Sequence, residues 1–365
     1  MKKTMLAKKL KRALSVLMVL SILVGSVAVP AAGASNFEAS FIQKLDGIAS
    51  NYEQYLDSSV MFELPEGIGD DEEISVIVTV DVVNVMDAYE GTDKTMSLSE
   101  YALNSDDAAE IKEKIACEKA QVLEALDKSN VSYTVGEDYS TVLSGFELII
   151  KAGDFKATCQ SLGEGMDVIV GEVYETCKTE LVENEVNVFE TGIFNSSDSG
   201  YDGSGMVVAV LDTGLDSNHT AFSPKNFSSE KLGLTYKEVA SLVKDTTANE
   251  LLEGITVDDV YINDKVPFGF DYADNDTDVY STHNNHGTHV SGVIVGNDDT
   301  IRGVAPNAQL VSMKIFSDVM DTARSAWILS ALEDCVVLGV DVINMSIGTA
   351  CGFSRESDEE KVNGI

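Results

Sequence analysis

Two short stretches hold side chains whose types and spacing could do chemistry. In Val210-Leu-Asp-Thr-Gly214 an apolar run ends on a carboxylate, Asp212, and Gly214 lets the chain turn away sharply. Carboxylates at the C-terminal ends of buried strands lie where ligand sites form in open α/β sheets. In Asn285-His-Gly-Thr-His-Val-Ser-Gly292, His286 falls where a helix should begin, with Gly287 and Thr288 opening it and Val290 on its buried side. An imidazole there is held on a rigid element and still faces a pocket. Three of the four histidines, His283, His286 and His289, fall in this neighbourhood.

A carboxylate and an imidazole together suit nucleophilic catalysis. A serine hydroxyl is a weak nucleophile until a base takes its proton. Imidazole does this near neutral pH. A buried Asp fixes the imidazole tautomer and stabilises the imidazolium that forms. Two other chemistries compete. Asp-Thr-Gly also marks aspartic proteases, but their shared-proton dyad needs a second carboxylate motif, and this chain has one copy. His283, His286 and His289 follow a His-x-x-His-x-x-His spacing that could hold a metal ion on one helix face. The Asp-Thr-Gly strand and the small residues around His286 account for the pattern better, so no metal ligand is assigned.

These residues need a frame. Met206–Leu211 is a continuous apolar run, as in a parallel strand buried on both faces, and Leu310–Phe316 and Val340–Met345 read alike. Helix-like segments, Val290–Val295 and Ala323–Val337, alternate with them. That alternation predicts an α/β domain with a parallel sheet. Before it lies a different pattern: strands at Ile74–Val80, Val131–Val135, Phe146–Ile150 and Met166–Tyr174, with helices at Ala108–Leu126 and Ala152–Leu162. The order βαββαβ is that of a split βαβ sandwich, ferredoxin-like in class. Residues 35–70 are polar, with a helix expected near Phe37–Leu56. Turn formers crowd residues 176–205 and mark a junction.

The first residues read as an export signal. A basic segment runs to Arg12, an uncharged apolar run spans Ala13–Val29, and Ala32-Gly-Ala34 supplies small residues for cleavage after Ala34. Five cysteines at wide spacing, with no CxxC pair, leave the disulfide state open.

Five stretches resemble the subtilisin-like serine proteases: Val208–Asp216, His286–Gly292, Gly303–Ala308, Leu310–Ile315 and Val340–Gly348. Within residues 264–276 the segment beginning Asp264-Lys-Val-Pro-Phe-Gly-Phe-Asp-Tyr is similar to the lactocepin-like cell-envelope proteinase branch. The resemblance implies a subtilisin-like parallel sheet flanked by helices, present here in part. It implies a secreted or cell-surface endopeptidase acting on polypeptide substrates, with Asp212 and His286 in its triad. It assigns the strand Ser346, Ile347, Gly348 to substrate binding and makes His289 a buried structural residue. The nucleophilic Ser and oxyanion Asn of the family come after these motifs, so the chain is expected to stop short of them. Domains are expected at 1–34 (signal peptide), 35–190 (propeptide, compact over about 72–176, inhibitor and chaperone) and 191–365 (peptidase part).

Charge narrows the partners. The chain carries 25 Lys and Arg against 61 Asp and Glu, a formal charge of -36. Nucleic acid is excluded as a partner by the lack of a basic patch. The acidic run Asp271, Asp274, Asp276, Asp278 could bind calcium through oxygen ligands. It lacks EF-hand spacing, so calcium is left unassigned and a solvated acidic loop is expected. Only ten residues separate Gly292 from Gly303, too short a loop for the strong calcium site of some subtilisins.

Overall fold

The computed structural model describes residue 64 and residues 68–348, except 93–94, 164–165, 176–200, 228–230 and 321. The export signal, the helix expected near 37–56 and the 190/191 boundary lie outside the described residues. Those that are described fall into two units, one of residues up to 94 and 104–171, the other of residues 95–103 and from 172 onward. Among them no helix is long and apolar enough to cross a membrane.

Strands and helices of the first unit are β1 (Glu73–Thr79), α1 (Val85–Glu90), α2 (Leu98–Asn104, grouped through Leu103 with the second unit), α3 (Asp106–Lys128), β2 (Tyr133–Tyr139), β3 (Gly145–Lys151), α4 (Phe155–Ser161) and β4 (Asp167–Val170). The elements from β1 to β4 keep the expected order, with two short helices, α1 and α2, that were not expected inserted after β1. The sheet order is β2-β3-β1-β4, antiparallel throughout. Helix α3 starts where Ser105 caps the Ala108 N–H and two aspartates meet the positive end of the helix dipole. Ala108, Ile111, Ile115, Val122 and Leu126 make its buried stripe.

One boundary differs from the expectation. The strand expected over Met166–Tyr174 ends at Val170, and Gly171 breaks it with its N–H donated to the Ser75 carbonyl at 2.8 Å. Val173–Glu175 forms a separate strand, β5, that belongs to the second unit.

In the second unit β6 (Val207–Asp212), β7 (Phe268–Asp271), β8 (Gln309–Lys314) and β10 (Val342–Asn344) form a parallel sheet in the order β10-β6-β8-β7. Every residue of β6, β7 and β8 is buried, as parallel strands covered on both faces require. Strand β9 (Thr322–Arg324) pairs antiparallel with β5. Short helices α5 (Tyr236–Leu242), α6 (Thr247–Leu251) and α7 (Val257–Val260) fill the interval between β6 and β7. Helices α8 (His286–Val295) and α9 (Ser325–Val337) complete the alternation. The core gathers Val208, Val210, Leu215, Phe222, Val266, Val279, Val295, Ala308 and Leu310, with Val290 packed against it.

Candidate active site

Asp212 ends β6 and its side chain is 1% exposed. The main-chain carbonyl of Asp212 accepts from the Ile315 N–H at 3.0 Å, tying the strand end to the residue after β8. Its Oδ1 accepts the Thr213 N–H at 2.7 Å and lies 2.7 Å from the His286 Nδ1. A carboxylate only accepts, so Nδ1 carries the proton and Nε2 presents a lone pair. His286 is the first residue of α8, and its ring is 17% exposed. Asp212 Oδ2 has no hydrogen-bond partner among the described residues.

Two glycines permit this approach. A Cβ on Gly287 would sit 2.3 Å from the Gly214 carbonyl and 3.1 Å from Asp212 Cβ. Gly214 has a φ of +120°, and a Cβ there would lie 2.4 Å from the Val279 carbonyl. A side chain at Gly287 would push α8 off the strand end, and one at Gly214 would displace the chain at Val279 and Ser281. Thr213 stitches the two elements further: its hydroxyl donates to the Asn284 carbonyl at 3.1 Å and accepts the Gly287 N–H at 2.9 Å. Asn284 in turn accepts the His286 N–H on Oδ1 at 2.9 Å.

The hydrogen bond from Asp212 raises the His286 pKa above its ordinary value of 6.5; partial burial opposes this and the carboxylate's charge adds to it. A neutral imidazole with a fixed tautomer, an accessible Nε2 and a carboxylate behind it is a general base ready to become an imidazolium.

Other sequence expectations fare differently. His289 is exposed, not buried as expected. The inward line of α8 runs Gly287, Ser291, Val295, spaced by four, and His289 points elsewhere. His283 is exposed as well, and no three His, Cys, Asp or Glu side chains converge as a metal site among the described residues. Ser346, Ile347 and Gly348 follow β10 as irregular chain and not as the strand expected, because β10 ends at Asn344. The Ser346 hydroxyl turns back to Asn344 Oδ1 at 2.9 Å.

The acidic run is solvated only in its second half, where Asp276 and Asp278 are exposed. Asp271 is 2% exposed and pairs with the fully buried Lys314 ammonium. Asp274 lies 3.4 Å from the same nitrogen and also accepts from the Ser317 hydroxyl and the Asp318 N–H. Burial pulls Lys314 down, but its bond to Asp271 and the charges of Asp271, Asp318 and Asp274 win and hold it above its ordinary value. Asp276 and Asp278 cap turns in their own loop. Sequence reasoning missed this cluster, although a lysine inside the buried run Leu310–Ile315 signals a partner, since an unpaired buried ammonium is prohibitive.

The fold and the paired Asp and His define a hydrolase-like α/β site, and comparison with known proteins names its class. Residues 203–364 match the Subtilase family of peptidases and form a subtilase-family domain. The chain is 32% identical over 295 residues to a PII-type proteinase of Lactococcus lactis subsp. cremoris, covering 78% of this chain and 14% of that protein. It is 36% identical over 170 residues to a C5a peptidase of Streptococcus pyogenes serotype M18, covering 44% of this chain and 14% of the peptidase. Thus the chain spans about one seventh of the length of the curated relatives it matches. Among solved structures it is similar to fervidolysin from Fervidobacterium pennivorans, at a TM-score of 0.44 and 16% identity, over 78% of this chain and 37% of that one.

Proposed function

We propose that this chain is the front part of a secreted or cell-surface serine endopeptidase precursor. The reading rests on the 2.7 Å contact between His286 Nδ1 and Asp212 Oδ1 within a subtilase-family domain. His286 Nε2 takes the proton of an attacking serine and then returns it to the leaving amine, while Asp212 holds the ring and stabilises its cation. The serine and the oxyanion Asn are assigned to sequence following the Asn344-Met-Ser346 stretch in the whole protease, outside residues 1–365. Ser346, Ile347 and Gly348 are assigned to the substrate backbone.

Residues 35–190 serve as the propeptide in this reading. Support comes from β5, an extended segment that pairs antiparallel with β9 as a two-stranded ribbon. Its register pairs Val173 with Arg324, Tyr174 with Ala323 and Glu175 with Thr322. The Glu172 carbonyl accepts the Ser325 N–H at 3.1 Å, and the Ser325 hydroxyl accepts the Glu172 N–H at 3.1 Å. Main-chain pairing with a strand is one way proteins hold extended peptides, so this mode suits an inhibitory segment.

The test is labelling with a serine-directed fluorophosphonate. A protein extending this chain through the rest of the peptidase domain should be labelled, and its His286→Ala variant should not. Labelling of residues 1–365 alone, or labelling that persists without His286, would overturn the assignment.

A further inference from the structure

The loop before α8 is tied to the buried Lys314 cluster by a continuous polar chain. Ser281 donates from its hydroxyl to Asp318 Oδ1 at 3.0 Å, and Asp318 Oδ2 lies 3.6 Å from the Lys314 ammonium. The same Ser281 oxygen accepts the Asn284 N–H at 3.2 Å and the His283 N–H at 3.4 Å. Asn284 then takes the His286 N–H on its side chain and the Thr213 hydroxyl on its carbonyl. Lys314 is also the register partner of Asp212 across β6 and β8. Lys314 therefore lies on the strand paired with the one carrying the carboxylate and is linked, through two side chains, to the loop that leads into His286.

We propose that Ser281 and Asp318, bridging to Lys314, are positioning residues that fix the His286 main chain against Asp212. A short imidazole–carboxylate bond tolerates little displacement, because hydrogen bonds weaken steeply with distance and angle. Residues 281–285 form no helix or strand; besides the main-chain bond from the His289 N–H to the Asn285 carbonyl at 3.0 Å, such side-chain ties hold their backbone in place. The Ser281 oxygen, with two main-chain donors and one carboxylate acceptor, replaces a ladder there. Two further hydrogen bonds bear on the anchor: the Asp318 N–H and the Ser317 hydroxyl both donate to Asp274, which keeps the Asp318 carboxylate turned toward Lys314 and Ser281.

The inference rests on reading Asp212 and His286 as a catalytic pair, but its test needs no hydrolysis. In ¹⁵N-histidine-labelled chain, the His286 Nδ1 proton should give a downfield, slowly exchanging resonance. Ser281→Ala should lose that resonance while the far-UV circular dichroism stays as in the parent, and Ser281→Thr, which restores the hydroxyl, should recover it. Asp318→Ala, at a partly exposed position, should lose it too and carries the test if Ser281→Ala does not fold. Retention of the parent resonance in Ser281→Ala or in Asp318→Ala would overturn the proposal, as would its loss in Ser281→Thr. Should fluorophosphonate labelling fail while the resonance responds in this way, the protease reading falls and the positioning link stands.

Discussion

In the antiparallel unit most ion pairs lie in solvent, Lys119–Asp138 with its largely buried lysine being the exception, whereas the parallel unit takes several charged residues fully inside. Lys114–Glu110, Lys128–Glu124 and Lys151–Asp71 all join side chains at least half exposed. Asp212, Lys265, Asp271, Lys314 and Asp334 are each no more than 2% exposed. Burying a charge is costly unless partners replace its water, and each of these has them. Lys265 donates to the Pro306 and Ala308 carbonyls at 2.7 Å each, with Phe227 beneath its ammonium. Asp334 accepts the first two N–H groups of α6 and the Tyr272 hydroxyl. The difference is one of division of labour: the first unit is held by its apolar stripe and β-ladder, and the second also holds buried ionisable groups with dedicated partners.

That contrast can be broken at several depths. The largest effect belongs to the site itself. In a protease extended through its nucleophile, His286→Ala should cut kcat by roughly 10⁶, since triad members act as a unit. Steady-state peptide hydrolysis measures it, and a loss below about tenfold would refute the base assignment.

Next comes the buried anchor. Lys314→Met leaves Asp271 buried without its cation, and breaking a buried pair costs about 3–5 kcal/mol. Denaturant titration of parent and variant gives the difference. A variant as stable as the parent would mean that Asp271 finds another partner.

Lys265 sharpens the comparison through pH. Burial pushes its pKa down to about 7, below the unfolded value of 10.5. Between those values the unfolded chain holds the extra proton, so stability should rise with pH from about 7 toward 10.5. Lys265→Met should flatten that slope relative to the parent. Identical slopes would show that the amine stays protonated throughout, held by its carbonyls and ring.

The smallest effect is expected in the first unit. Glu110→Ala removes an exposed i, i+4 pair and should leave the unfolding midpoint within measurement error. A clear drop would place the first unit's stability partly in its surface charges.

Much of this frame was legible because strong periodicity and local chemistry agree. The apolar runs of β6 and β8 announce parallel strands, and α3 carries both a cap and an apolar stripe. The Asp212 and His286 stretches were legible as chemistry, and the glycines that allow their contact stand in the motifs themselves. Other features depend on long-range packing. Strand β7 has only four residues, too few for a period to show. The acidic run looked solvated throughout because the partner of its first half, Lys314, lies about forty residues away, and sequence spacing does not reveal a partner across strands. His289 looked like a core residue until the helix phase was set by Gly287 pressing on Gly214. Val173–Glu175 continued the pattern of the preceding strand, and only its pairing with β9 moves it to the second unit.

The most direct measurement is the titration of the His286 imidazole by ¹⁵N NMR in the parent chain and in Asp212→Ala. With the carboxylate in place the folded pKa lies above 6.5, so the pair stabilises the fold most at pH values below 6.5 and that contribution fades as pH rises through the folded pKa. Removing the carboxylate should bring the imidazole pKa down and scramble its tautomer. An unchanged pKa and tautomer in Asp212→Ala would contradict the account, because the two side chains would then not be partners in solution.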